Sequence, residues 1–392
     1  MSRRPIARSP DLLRLRDEGY DLDVVGGSLV IRDVPYATAT REVRRGTLFM
    51  DLDLAGDVAT KPTSHVAYWA GEHPCHHDGS RIRAFEHPAP PQDHGNGLRS
   101  DHMFSAKADY RDYHHKVTTY VGRIAGEAAE IELSAKAQTF PVVLADDGSD
   151  VFRYVNTAES RAGIGAANGR VAGGRVGIVG LGGTGAYVLD LVAKTPVGEI
   201  HLFDGDVLSQ HNAFRAPGAP TTEQLAAKPF KVDHFASVYG AMRTGIFPHK
   251  IFLDADNARP LLDGLDFVFV CMDGGPAKRA VIEALSLLGL PFVETGMGLL
   301  LGDDAAVSGI ARVTTSQPAT RAEAAPHICL GSADAGGNDY STNIQVAELN
   351  ALSAALAVVS WKRIAGFYPA AGKQVYAGFS VRTGDLVTEG AG

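Results

Sequence analysis

Cysteine is scarce in this chain. Its 392 residues hold three, Cys75, Cys271 and Cys329. That is too few for a disulfide framework, and no Cys-x-x-Cys pair supplies half of a zinc site, so no structural zinc is expected. Long apolar runs are missing too: no stretch approaches 18 uninterrupted apolar residues, which excludes a membrane-spanning helix. The basic start, Met1-Ser2-Arg3-Arg4-Pro5, is not followed by the apolar run of a secretory signal. Positive charge is not in excess, and a formal net charge of −8 argues against binding nucleic acid by neutralising phosphates. Disorder is excluded by what is plentiful, since a chain that is 45% apolar can bury enough surface to offset its ordering entropy. The expectation is a soluble cytoplasmic protein of one or two domains. Its 44 glycines imply many close backbone approaches.

Composition divides the chain into two regions, 1–150 and 151–392. The first holds nine of the fourteen histidines and short alternating runs, Ser28-Leu29-Val30-Ile31-Arg32 and Thr47-Leu48-Phe49-Met50-Asp51-Leu52. It reads as a β-rich or α+β domain with a helix over Tyr110 to Ala128, weakened by Gly122. From Arg175 onward, apolar runs alternate with helical stretches. Arg175–Val179, Glu199–Phe203, Lys250–Leu253, Phe267–Cys271 and Pro291–Thr295 read as buried strands of a doubly wound, mostly parallel Rossmann-like sheet covered on both faces. Ser160 to Gly174, with five glycines, is the expected boundary. Thr314 to Thr342 reads as a loose, exposed segment, and such segments are often functional. A helical period follows over Ile344 to Gly366, on Leu349, Leu352, Leu356 and Val359, and Lys362-Arg363 suit its C-terminal end.

The strand Val176–Val179 runs straight into Gly180-Leu181-Gly182-Gly183-Thr184-Gly185 and then a helical run. G-x-G-x-x-G in that position lets backbone N–H groups approach a phosphate at a helix N-terminus. Asp204, nineteen residues past Gly185, sits where a carboxylate commonly binds a ribose hydroxyl. These features alone fit a dinucleotide oxidoreductase as well as an ATP site. Asn212, Arg215, Lys228 and Lys231 favour the second, because nucleotidyl transfer needs fixed cations on phosphates whereas hydride transfer does not. Asp273, just past a buried strand, could hold Mg²⁺ against phosphate oxygens. Taken singly, Arg215 and Lys231 also read as surface cations, Asn212 as a turn residue, and Asp273 as a helix N-cap. Asp206 reads as structural.

From Arg175 to about Gly366, this series resembles the ThiF/MoeB adenylyltransferases and the adenylation domains of ubiquitin-activating enzymes. The matched elements are the glycine loop, the Asp204–Asp206 pair, Asn212-x-x-Arg215, Lys231-Val232, and Asp273 after a buried strand. The resemblance implies ATP and Mg²⁺ as cofactors, with Gly180, Gly182, Gly183 and Gly185 at the phosphates and Asp204 on the ribose. It also implies that Asn212, Arg215 and Lys231 contact phosphates, with Lys228 in a neighbouring basic position, and that Asp273 is the Mg²⁺-linked catalytic carboxylate. Arg279 fits the family pattern as well. The implied activity is adenylation of the C-terminal carboxylate of a ubiquitin-like protein, with a conjugating-type enzyme as a later partner and a homodimer as the assembly. A non-catalytic scaffold of the same fold is the remaining alternative, beside the NAD-dependent oxidoreductase. The architecture is similar to bacterial ThiF-domain proteins with an uncharacterised N-terminal domain, some encoded beside ubiquitin-like modifiers, which carries the expectation of a role in antiviral defence.

The chain departs from the family in two places. The four zinc-binding cysteines common in these enzymes are absent, and no cysteine occupies the loop before the last helix. Ser341 in that loop is a candidate acyl acceptor and equally a helix cap, while Cys329 is a candidate nucleophile and equally a small apolar residue. Cys271 reads as core packing. The family's cross-dimer arginine maps to Arg161 or Arg153, with Arg161 preferred. In the first region, Gly71 to Asp78 reads as a surface loop in preference to a metal site, and Cys75 as a candidate thioester-forming residue of a built-in conjugating module.

Overall fold

Fully buried strands of a parallel sheet need apolar side chains on both faces, whereas edge and antiparallel strands do not. That distinction organises the computed structural model, which describes residues 4–145, 150–331 and 344–390. The chain divides into two units, Met1–Asp146 with Tyr154–Ala162, and Asp147–Arg153 with Gly163–Gly392.

After a short helix over Arg4–Arg8, the first unit has α1 (Pro10–Asp17), β1 (Asp21–Val25), β2 (Ser28–Ala37), β3 (Val43–Asp51) and β4 (Val66–Ala70). The short strands β5 (Glu86–His87) and β6 (His102–Ser105) complete an antiparallel sheet of order β1-β2-β3-β4-β6-β5. Helix α2 (Tyr113–Ile131) is capped by Asp112, whose side chain accepts from His115 N at 2.7 Å. It packs Val117, Tyr120, Val121 and Ile124 into the sheet's core. Gly122 and Gly126 lie on its exposed face, where an added Cβ would meet nothing, so they do not interrupt it.

The second unit contains β7 (Gly173–Val179), α3 (Gly183–Ala193), β8 (Val197–Phe203), α4 (Lys231–Gly240), β9 (Ile246–His249) and β10 (Phe267–Val270). It continues with α5 (Pro276–Leu287), β11 (Phe292–Leu301), β12 (Val307–Ser316), α6 (Ala347–Ile364), β13 (Gln374–Ser380) and β14 (Leu386–Gly390). The sheet order is β9-β8-β7-β10-β11-β12-β13-β14. The first five strands are parallel and the last three join antiparallel. Helices α3, α4 and α6 cover one face, and α5 covers the other. The fold is therefore the expected α/β sheet, extended by an antiparallel wing. Among the described residues no helix is long and apolar enough to cross a membrane.

Three local expectations need correction. The strand expected at Lys250–Leu253 lies at Ile246–His249. It is an edge strand carrying Pro248, which a sheet edge tolerates because no ladder N–H is needed there. The apolar run that follows it, Ile251 to Leu253, lines a cleft instead. Thr314 to Ser316 belong to β12, and helical turns occupy Pro318–Thr320, Arg321–Ala324 and Ala325–His327, so the loose segment is largely ordered up to 331. Its remainder, 332–342, lies outside the described residues. Along α6 the deepest stripe is Asn350, Ser353, Ala354, Ala357 and Trp361 rather than the leucine series, because small residues let α6 approach the sheet and α3 closely.

Candidate active site

The four glycines of the loop have different physical reasons. Gly180 has φ +88°, and a Cβ there would meet Cys271 O at 2.7 Å. A Cβ on Gly185 would come within 1.8 Å of Gly180 O, and one on Gly183 within 2.1 Å of Asn350 Nδ2. Gly182 differs: a Cβ there would meet nothing within 4 Å. Three glycines thus allow strand, loop and α6 to pack, while the fourth leaves the backbone open toward a cleft of about 300 Å³. Gly182 is the N-cap of α3 and makes no side-chain cap, so the first helical N–H groups are available to an anion.

Asp204, at the carboxyl end of β8, is buried and ties down this loop. Its Oδ2 accepts from Leu181 N at 2.6 Å and its Oδ1 from Asp206 N at 2.8 Å. Each carboxylate oxygen keeps a lone pair for a further donor. Lys231, 6% exposed at the start of α4, reaches into the cleft with its Nζ 2.7 Å from Asp206 Oδ2 and 3.8 Å from Asp204 Oδ2. Asp206, read as structural, therefore orients the cation. Arg215 lines the same cleft, and among the described residues its buried Nε has no hydrogen-bond partner. Burial, reinforced by the charges of Arg215 and Lys231, holds the His211 imidazole below its usual range. Asn212 uses its Oδ1 to cap the short helix Gln210–Ala213, accepting from Ser209 N at 2.8 Å, and leaves its buried Nδ2 unpartnered. Asp273, past the end of β10, lines the cleft and is exposed.

A second cavity of about 280 Å³ adjoins the first and shares Thr184, Asp273, Lys278 and Gln345 with it. Its own lining includes Gly296, Arg312 and Cys329. Burial pushes the Cys271 thiol up to about 12, which keeps it protonated and unreactive, in line with a packing role. Cys329 is exposed at the cavity.

Two family descriptions match this chain. Residues 164–327 match the ThiF family, and residues 10–157 match a domain of unknown function (DUF6791). The second unit carries a ThiF-family domain. The SAMP-activating enzyme E1 of Haloferax volcanii is 28% identical over 133 residues, covering 32% of this chain and 46% of that protein. The chain thus matches less than half the length of this curated relative. Among solved structures, Escherichia coli MccB with succinimide is 16% identical, with a TM-score of 0.44, covering 58% of this chain and 66% of that one. PaaA is 16% identical, with a TM-score of 0.43 and coverage of 57% and 75%.

Within the ThiF domain, Gly180, Gly182, Gly183, Asp204, Arg215, Lys231 and Asp273 line one cleft. Lys228 does not: it is exposed in the turn before α4, with φ +46°. Arg279 is also turned away, donating to Gly331 O at 2.8 Å, and Lys278 is the residue that faces inward. Its signal was present in the sequence, since Lys278, Val281 and Leu285 share the buried stripe of α5, and a lysine on an apolar stripe needs a partner. Glu294, Arg312, Gln345 and Asn350 were missed because strands and a helix distant in sequence bring them to the loop. Thr184 Oγ1 donates to Asn350 Oδ1 at 2.7 Å, and Asn350 Nδ2 donates to Arg215 O at 3.2 Å, so α6 clasps the glycine loop.

The remaining candidates lie elsewhere. Arg161 donates to Asp17 O at 2.9 Å within the first unit and sits over the Phe140 ring, while Arg153 donates to Gly240 O at 2.6 Å. Ser341 lies outside the described residues. Cys75 is 4% exposed, and burial raises its thiol pKa, which opposes the nucleophilic role considered for it. The neighbouring His76 and His77 both bond Glu127 of α2, at 2.8 and 2.9 Å. Among the described residues no group of three or more His, Cys, Asp or Glu is arranged to hold a metal.

Proposed function

We propose that the ThiF domain adenylates the C-terminal carboxylate of a ubiquitin-like protein. The observation carrying this reading is the meeting of Arg215, Lys231 and Asp273 with the open backbone at Gly182 in one cleft at the carboxyl ends of parallel strands. The buried, unpartnered Nε of Arg215 is a donor waiting for an acceptor, as a phosphate oxygen would be. ATP fits this donor set, with Asp204 on the ribose, Arg215 and Lys231 toward the phosphates, and Ile251 to Leu253 as an apolar wall for the base; Asn212 stands outside the cleft's lining, one turn before Arg215. Mg²⁺ is ordinarily held by one or two carboxylates together with phosphate oxygens, and Asp273 supplies such a carboxylate. When bound, the ion neutralises phosphate charge.

In the reaction a carboxylate oxygen of the substrate attacks the α-phosphorus of ATP. The new C–O–P bond forms as the α–β bridging bond breaks, and pyrophosphate departs. Arg215 and Lys231 stabilise the charge that grows on the phosphates, and the loop amides hold them in line. The acyl adenylate can then pass to a nucleophile. Cys329 borders the adjoining cavity beside Arg312, and the attack of its sulfur on the acyl carbon would release AMP. Ser341 is the alternative acceptor. A conjugating-type enzyme would take the acyl group onward, and a homodimer with Arg161 reaching a partner's site belongs to the same reading. The test is ATP–pyrophosphate exchange that depends on a purified ubiquitin-like protein. No exchange with any such protein, or exchange at wild-type rate in Asp273→Ala, overturns the proposal. An adduct that resists reductant but yields to hydroxylamine would assign Ser341, and a reductant-sensitive one Cys329.

A further inference from the structure

Asn350 is 1% exposed on the buried stripe of α6, beside Ser353, Ala354 and Ala357. An amide buried in such a place costs free energy unless both of its ends are bonded. Both are. Its Oδ1 accepts from Thr184 Oγ1 at 2.7 Å, and its Nδ2 donates to Arg215 O at 3.2 Å. Arg215 O is a carbonyl and can only accept, which fixes the way the amide points. Thr184 is in the first turn of α3 and lines the nucleotide cleft, as Arg215 does. One side chain of a distant helix therefore ties together two parts of the same anion-binding surface. The junction is tight: a Cβ on Gly183 would come within 2.1 Å of Asn350 Nδ2 and 2.8 Å of Arg215 O.

Arg215 has few other anchors. Its N–H donates to Asn212 O at 3.1 Å, at the end of the short helix Gln210–Ala213. Phe214 before it is 77% exposed, and Pro217 and Pro220 after it have no N–H to donate. Among the described residues its buried Nε has no partner, so no hydrogen bond at Nε aims the guanidinium. The aim is set by the main chain, and Asn350 holds the carbonyl of that main chain. Small errors in the placement of a group that meets a reacting phosphate are costly, which gives such an anchor its value.

We infer that Asn350 is a positioning residue: it fixes the main chain of Arg215 against the first turn of α3, so that the guanidinium and the loop N–H groups converge on one anion. The inference rests on the adenylation reading for the identity of that anion, but its first test needs no ligand. In the full chain with isotope-labelled arginine, the NMR signal of the Arg215 Nε–H is assigned by its loss in Arg215→Lys. Asn350→Ala is expected to shift or broaden that signal while those of Arg243 and Arg321, which bond backbone carbonyls elsewhere in the second unit, stay in place. A folded N350A with an unchanged Arg215 signal, or with Arg243 and Arg321 signals that move as far, overturns the inference. The second test is a double-mutant cycle on ATP affinity. Asn350→Ala should weaken binding about tenfold in the wild-type background and less than about twofold in Arg215→Ala, because the amide acts through that arginine. Equal losses in the two backgrounds also overturn the inference. If N350A does not melt cooperatively, Asn350→Ser, whose shorter side chain cannot span both partners, carries both tests by the same criteria. A wild type that binds no ATP sinks the adenylation reading, and the arginine signal still decides this one.

Discussion

Glu127 of the first unit and Arg215 of the second are both charged groups among polar neighbours, and they differ in how their bonds are used. Glu127 accepts from both His76 and His77 rings and from His77 N at 3.0 Å, so the cluster closes on itself and pins the 71–82 loop to α2. Arg215 Nε, Asn212 Nδ2 and Gln345 Oε1 are buried in the second unit and left open. Desolvating a polar group without a partner costs about 1–3 kcal/mol, so a protein leaves several together where something else completes them. Among the described residues the histidine-rich first unit leaves one such atom, His73 Nε2, whereas most of the open valences lie in the second.

The sharpest way to break this comparison is through the glycine loop, where two residues of one motif should behave in opposite ways. Gly185→Ala places a Cβ 1.8 Å from Gly180 O and is expected to destabilise the second unit by more than about 4 kcal/mol, seen as a lost or lowered thermal transition. Gly182→Ala should melt as wild type does and lose ATP affinity instead, because its Cβ would occupy the open side of the loop. Asp273→Ala should lower ATP–pyrophosphate exchange by about 10²–10³-fold with the fold intact.

A smaller effect belongs to the closed cluster. The hydrogen bonds of His76 and His77 hold Glu127 down at about 2 against its burial, from an ordinary value of 4.5. A depressed carboxylate stabilises the fold above its unfolded pKa and loses that contribution as the pH falls through its folded one. Glu127→Gln is therefore expected to cost about 1 kcal/mol at pH 7, with the gap to wild type closing between roughly pH 4.5 and 2 in urea titrations, and no change in nucleotide binding. The least effect is expected from thiol labelling of the native protein at pH 8. Cys329 should react first, while Cys271, with about 10⁻⁴ of its population as thiolate, and buried Cys75 should wait for unfolding. Early labelling of Cys75 would reopen a nucleophilic role for the first unit.

The parts that could be read from sequence share a physical trait. Strands β7 and β10 are apolar on both sides because helices cover both faces, and the loop between β7 and α3 must be glycine for steric reasons that are local. Strand β9 was displaced by its edge Pro248, and the wing β12–β14 went unseen because β14 is exposed along its whole length. Lys278 and Arg279 are neighbours in the chain, and the apolar stripe that Lys278 shares with Val281 and Leu285 turns it, rather than Arg279, toward the cavity.

By itself, then, the order of residues determined the alternation of strands and helices, the phosphate-binding turn, and the candidacy of Asp204, Arg215, Lys231 and Asp273. Those properties follow from periodicity and from conformational demands within a few residues. Only the tertiary structure decided that Asp206 steers Lys231, that Asn350 braces the glycine loop, and that Lys278 and Arg312 both pair with Glu294. These depend on which side chains distant segments bring within hydrogen-bonding reach, and on how much water remains around them once they are there.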